Sequence, residues 1–233
     1  MNPDKKKWLK VDAEPEPIEI DCERAAMLVI DMQNAFVKPG GYLDIAGKDL
    51  TAVTKIIQPC KEIIRKARSQ GIMVIFVAMI SNQGTVDAGT HGSPHVLKSG
   101  AMRLLSQNPH NKDKFYLEGT WGAEIIEELR PEAGDYIVKK QKYNAFMETD
   151  LENILKTRGV RFLLFAGTAT NVCVESTIRH AFFLDYFPIL VSDAVSHLGP
   201  NVVHEATILN VQSNFGWVTD SKRLLKAMSK TNT

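Results

Sequence analysis

The chain alternates short, nearly continuous apolar runs with segments of helical spacing. RAAMLVID (residues 24–31), a nearly continuous apolar run ending in a carboxylate, and IMVIFVA (72–78) have the pattern of parallel strands buried on both faces. Between them, Val53, Ile56, Ile57, Cys60, Ile63, Ile64 and Ala67 recur on one helical face, opened at Asp49 or Thr51 and stopped by Gly71. A strand, a helix and a second strand make a βαβ unit, so a parallel sheet follows. Further strands are expected at 136–138, 162–166 and 186–192, with a short edge strand at 215–218. Helices are expected at 121–129, 149–158, after Cys173, at 200–211 and at 221–228. The helix after Cys173 turns Val172, Thr177, Ile178, Ala181 and Phe182 toward the sheet. About six strands alternating with helices predict an α/β fold: a doubly wound, mostly parallel six-stranded sheet with helices on both faces, Rossmann-like in plan.

Two segments lie outside this alternation. Residues 1–23 are basic and then acidic with no apolar core of a signal peptide, and read as an exposed N-terminal arm before a single domain spanning 24–233. Residues 79–119 are rich in Gly, Ser, Asn and His with weak periodicity, the mark of a long loop that serves as lid or substrate wall. His91 and His95 within it have ligand spacing, but Gly92, Ser93 and Pro94 between them argue against a regular helix and against a metal site.

Composition narrows the partners. The 233 residues are 44% hydrophobic and 24% charged, with a formal net charge of +1, which gives no electrostatic reason to expect nucleic acid or an anionic membrane. No run approaches the roughly 18 apolar residues that span a bilayer. Cys22, Cys60 and Cys173 are too few and too scattered for a disulfide framework or a zinc site, so a reducing cytoplasm fits, and Cys60 lies on the apolar helix face as a core residue. A small-molecule partner and no cofactor are the expectation.

Three strand ends carry chemistry. Asp31 closes the first strand, Lys140 follows the third, and Cys173 stands after the fourth, beyond a turn rich in Thr, Ala and Asn. Ligands of open α/β sheets bind outside these carboxyl ends, where the three groups can converge. The first turn of a helix and a nearby ammonium both favour thiolate over thiol, and a carboxylate can take the proton that a nucleophilic sulfur must lose. Lys139, Lys140, Lys142 and Tyr143 read equally well as a solvated face or as a crevice wall, and Asp31 with Lys140 as an ordinary ion pair. Asp31-Met32-Gln33-Asn34 is not a Gly-rich phosphate turn, which argues against a nucleotide-binding module.

VIDMQNAF (29–36), VKKQKYNAF (138–146) and AGTATNVCVEST (166–177) resemble, in the same order, the three motifs of the isochorismatase-like cysteine hydrolases. GGYLDIAG (40–47), GSP (92–94) and FGWVTD (215–220) more specifically resemble the ureidoacrylate amidohydrolases. The resemblance implies Cys173 as nucleophile, Asp31 as general base and Lys140 as third member of a triad. It also implies a cis peptide between Thr168 and Ala169, and an oxyanion hole from the N–H groups of Ala169 and Cys173. Asn34, Phe36, Tyr42, Met79, Tyr143 and Thr168 are the candidate substrate contacts. The implied activity is hydrolysis of a small amide or ureido C–N bond through a thioester, by a dimer or tetramer. The apolar run Ala78-Met79-Ile80 leaves a less polar aromatic or alkyl amide as an alternative, and a redox-sensing thiol as another. The metal-binding Asp-x-His-x-x-His pattern of the nicotinamidase branch is missing, and a cysteine at position 173 argues for amide chemistry over vinyl-ether hydrolysis.

Overall fold

The computed structural model describes residues 7–82 and 93–229. Strands β1 (Trp8–Val11) and β2 (Ile18–Asp21) form an antiparallel pair ahead of β3 (Ala25–Ile30). Two short helices, α1 (Asn34–Val37) and α2 (Tyr42–Ile45), lead to α3 (Thr51–Lys55), α4 (Ile57–Ser69) and β4 (Met73–Met79). Helices α5 (Pro94–Lys98) and α6 (Gly100–Gln107) precede β5 (Tyr136–Lys140), α7 (Leu151–Thr157) and β6 (Phe162–Thr168). Helix α8 (Glu175–Phe183), β7 (Phe187–Ser196), α9 (Asn201–Asn210), β8 (Trp217–Thr219) and α10 (Ser221–Ser229) complete the order.

The main sheet has six strands in the order β5-β4-β3-β6-β7-β8, every neighbouring pair parallel. Its two faces are covered separately because successive residues of a strand point to opposite sides. Met27, Val29 and Phe76 pack with Ile63 and Ile64 of α4 and Leu224 of α10 on one face. Leu28, Ile75 and Phe165 pack with Leu151 and Leu155 of α7 and Ile178 of α8 on the other. The chain leaves β3 toward β4 and β5, then returns to β6 on the opposite side of β3. That reversal opens a crevice at the carboxyl ends of β3 and β6, the place where doubly wound sheets bind ligands.

Several expectations are corrected. Of the region expected to be an exposed arm, the described residues 7–23 are structured: Leu9, Val11, Ile18 and Ile20 are buried while Lys10 and Glu19 face outward, a period-2 alternation masked by the high charge of the segment. Glu14 exchanges both backbone hydrogen bonds with Val218, which covers part of the β8 edge. The long helix expected up to Gly71 is divided at Ile56, a break made tolerable by Pro59, whose missing N–H falls in the first turn of α4. Residues 121–129 form two three-residue 3-10 turns, Trp121–Ala123 and Glu127–Leu129, because Ile126 N–H is engaged by the Met32 carbonyl instead of a helix. The stretch expected to be a loop after residue 79 carries α5 and α6, the latter capped by the Ser99 hydroxyl. Strand β7 runs on to Ser196, so Asp193 sits in a strand, where its carboxylate accepts from the backbone and hydroxyl of Ser221. Phe182, expected to face the sheet, is at the surface with Phe183. Cys60 is a core thiol: burial first, then the charge of Asp193, pushes its pKa up to about 12.

One glycine is dictated by the crevice. Gly167 has φ of +113°, and a Cβ there would lie 2.1 Å from the Ile30 carbonyl oxygen, its partner across β3 and β6. Only a residue without a side chain lets the two strand ends approach this closely. Gly167→Ala is expected to destabilise the fold by roughly 2–4 kcal/mol, read as a lowered denaturant midpoint.

Candidate active site

The register of the sheet brings the three strand-end groups to one level. Ile30 pairs with Gly167, so Asp31 and Thr168 emerge side by side, and Met79 pairs with Lys140 at the other edge of β3's neighbour β4. Asp31 has a left-handed backbone, φ +51°, held by its N–H to the Val77 carbonyl and by its own carbonyl, which accepts from Gln33 N–H at 2.8 Å. Such a conformation is uncommon for a residue with a side chain and ends β3 in a sharp turn. Cys173 lies in a π-helical turn, Thr170–Val174, between β6 and α8.

Lys140 is two strands from Asp31, and its side chain reaches back over that distance. Its ammonium donates to Asp31 Oδ2 at 2.8 Å, to the Lys142 carbonyl at 3.2 Å and to Cys173 Sγ at 3.5 Å. The Lys140 side chain is fully buried and that of Asp31 nearly so. Burial alone would drive the ammonium toward neutrality; the Asp31 carboxylate, with Cys173, outweighs it and raises the Lys140 pKa. Asp31 Oδ1 is buried with no hydrogen-bond partner among the described residues, an open acceptor in the same site.

The thiol differs from the expectation for a helix N-terminus. Burial and then the Asp31 charge raise the Cys173 pKa, and the opposing pull of Lys140 does not restore it. Cys173 therefore rests as a thiol at neutral pH, next to a carboxylate able to accept its proton. The peptide between Thr168 and Ala169 is cis, as expected, and the Ala169 N–H has no acceptor among the described residues.

The turn from Thr168 to Cys173 is clamped from the side of β7 and α9. Ser196 Oγ donates to Thr168 Oγ1 at 3.1 Å, and His204 Nδ1 lies 3.1 Å from Thr170 Oγ1. The Asn171 amide donates to the Leu198 carbonyl and accepts from the Leu198 N–H, both at 3.1 Å. Gln33 works similarly on the opposite wall: its amide donates to the carbonyls of Met79 and Ala123 and accepts from the Met79 N–H.

In front of Cys173 is a cavity of about 130 Å³. Of the candidate contacts, Phe36, Tyr42, Met79, Tyr143 and Thr168 line it, together with Asp31 and Ala169. Asn34 does not: its amide donates to the Trp121 carbonyl at 2.9 Å and holds that turn in place. Ala78 and Ile80 point elsewhere, leaving Met79 as the wall residue of that run. Leu43, Ser99, Tyr116, Val172 and Leu198 also line the cavity and were not singled out from sequence. Tyr116 and Ser99 come from the stretch with weak periodicity, which offered no signal, while Val172 was expected against the sheet. His95 stacks edge-on against Tyr143 with ring centroids 4.7 Å apart; His91 lies outside the described residues. No group of His, Cys, Asp or Glu side chains suited to a metal ion occurs among the described residues.

A family profile for the isochorismatase domain matches residues 25–223. The chain belongs to the isochorismatase-domain family. Within it, the ureidoacrylate amidohydrolase RutB of Caulobacter segnis is 42% identical over 207 residues, covering 89% of this chain and 87% of that protein. A cysteine hydrolase from Pseudomonas syringae superposes with a TM-score of 0.73 at 28% identity, over 96% of this chain and 99% of the other. The N-carbamoylsarcosine amidase of Thermoplasma acidophilum does so at 0.64 and 25% identity, over 90% and 99%.

Because the Asp31 charge raises the Cys173 pKa, Asp31→Asn is expected to lower it, with thiolate absorbance appearing at lower pH than in the wild type. An unchanged titration would mean that burial alone sets the thiol.

Proposed function

We propose that this family member is an amidohydrolase that cleaves the C–N bond of a small N-carbamoyl (ureido) or amide substrate through a thioester on Cys173. The observation that carries this reading is the buried contact of Lys140 with both Asp31 and Cys173, at 2.8 and 3.5 Å, beside a cavity that Cys173 lines. The names of the ureidoacrylate amidohydrolase and the N-carbamoylsarcosine amidase point to the same bond type.

Asp31 takes the Cys173 proton as sulfur attacks the carbonyl carbon, so the thiolate forms only when it is consumed. The Ala169 and Cys173 N–H groups receive the developing oxyanion. Collapse breaks the C–N bond, and the proton held on Asp31 passes to the departing nitrogen. Water, deprotonated by Asp31, then attacks the acyl carbon; the C–S bond breaks, the acid is released, and Asp31 returns the proton to sulfur. Lys140 pairs with Asp31 in a dry site and offsets negative charge as it gathers on sulfur and oxygen.

The reading extends to assembly and place. A dimer or tetramer is part of it, and Phe183, 71% exposed, supplies apolar surface that a second copy would cover. No helix among the described residues is long and apolar enough to cross a membrane. The three free cysteines suit the cytoplasm that we assign to it.

Incubation with N-carbamoyl and simple amides, followed by mass spectrometry of the intact protein, should trap an acyl group on Cys173 and release ammonia or amine. Cys173→Ala should abolish both, and Asp31→Asn and Lys140→Ala should each lower kcat by roughly 10³-fold or more. Near-normal turnover in either charge variant refutes the role given to it. Asn171→Ala, which frees the nucleophile turn from Leu198, should lower kcat about 10- to 100-fold with the thiol still titratable, measured by steady-state kinetics.

A further inference from the structure

The walls of the cavity are mostly aromatic and aliphatic. Phe36 and Tyr116 are stacked with centroids 5.3 Å apart, and Tyr42 meets both rings edge-on at 6.3 Å. Leu43, Met79 and Leu198 add aliphatic surface. Apart from Asp31 and the Cys173 thiol, the side-chain polar groups on the lining are hydroxyls, from Ser99, Thr168 and the tyrosines. Hydroxyls orient a ligand by hydrogen bonds but carry no charge. Burial raises the phenol pKa of Tyr42, Tyr116 and Tyr143, which keeps all three neutral.

The cation nearest the nucleophile is already committed. The Lys140 ammonium has three protons and three acceptors, Asp31 Oδ2, the Lys142 carbonyl and Cys173 Sγ, and its side chain is fully buried. Its charge balances that of Asp31. Arg103, whose charge reaches the Tyr42 phenol, is exposed on α6 and is not part of the lining. Residues 83–92 contain neither Lys nor Arg. A carboxylate entering this cavity would leave water for aromatic and aliphatic walls beside the Asp31 carboxylate, with no free cation on the described lining to offset either cost.

Building on the amidohydrolase reading above, we propose that the substrate is electrically neutral: an alkyl or aryl amide or an N-substituted urea, not an N-carbamoyl amino acid. Its apolar body lies against Phe36, Tyr116 and Met79, and its carbonyl meets Cys173. The hydroxyl of Tyr42 is left for an uncharged polar atom. Charge selection thus comes from the wall, and bond selection from Asp31, Lys140 and Cys173.

The test compares 3-ureidopropionate with butylurea and phenylurea, which share the carbamoyl group and differ in charge. The wild type should favour the neutral ureas by tenfold or more in kcat/KM, the difference lying mainly in KM. Tyr143→Arg, at a position 39% exposed on the cavity wall and tolerant of a longer side chain, should move that ratio toward the acid by tenfold or more. Preference of the wild type for 3-ureidopropionate overturns neutrality and leaves the amidohydrolase reading standing, with Arg103 or a neighbouring copy as the source of the cation. Failure to hydrolyse all three, with no acyl group trapped on Cys173, overturns both.

Discussion

The site depends on a buried ion pair. Asp31 and Lys140 meet at 2.8 Å with almost no solvent access, where an isolated charge of either sign would be expensive. Each is tolerable only because the other is present, so the ends of β3 and β5 are tied across the intervening β4. The sulfur of Cys173 sits on the same ammonium, which couples the return of the chain through β6 to the first half of the sheet.

This arrangement sets the electronic state of the thiol. A cysteine near the start of a helix beside a lysine invites the expectation of a resting thiolate, yet burial and the Asp31 carboxylate together prevail over Lys140. A thiol whose pKa is raised resists alkylation and oxidation, because both act on the thiolate. The open Oδ1 of Asp31 fits the base role proposed above, since a carboxylate with both oxygens fully engaged would be a poor acceptor.

Support for Asp31 and the turn before Cys173 comes from neighbouring amides. Asn171 binds the nucleophile turn to Leu198, and Gln33 binds the end of β3 to Met79 and to the turn at Ala123. Each of these amides joins a reacting strand end to a cavity wall. The shape of the cavity and the alignment of Asp31, Lys140 and Cys173 are therefore set by the same few hydrogen bonds.

Local pattern determined much of this molecule. The nearly continuous apolar runs specified strands buried on both faces, and the residues that end them, Asp31, Lys140 and Cys173, marked the crevice, because parallel strands place their carboxyl ends at one level. The amphipathic stretch containing Cys60 was legible for the same reason, its 3.6-residue period being imposed by the core. What period alone could not convey was decided by contacts distant in sequence. The alternation in Trp8–Val11 and Ile18–Asp21 was too short and too charged to read until those strands found each other and α10. The backbone of 121–129 was diverted from a helix by pairing with the end of β3. Tyr116, Leu198 and Ser99 become cavity walls, and Asn34 does not, because side-chain direction at irregular backbone follows from tertiary packing. Sequence supplied the reacting groups; the packed structure decided their protonation and what can reach them, since both depend on burial, which exists only once the chain has closed around Lys140.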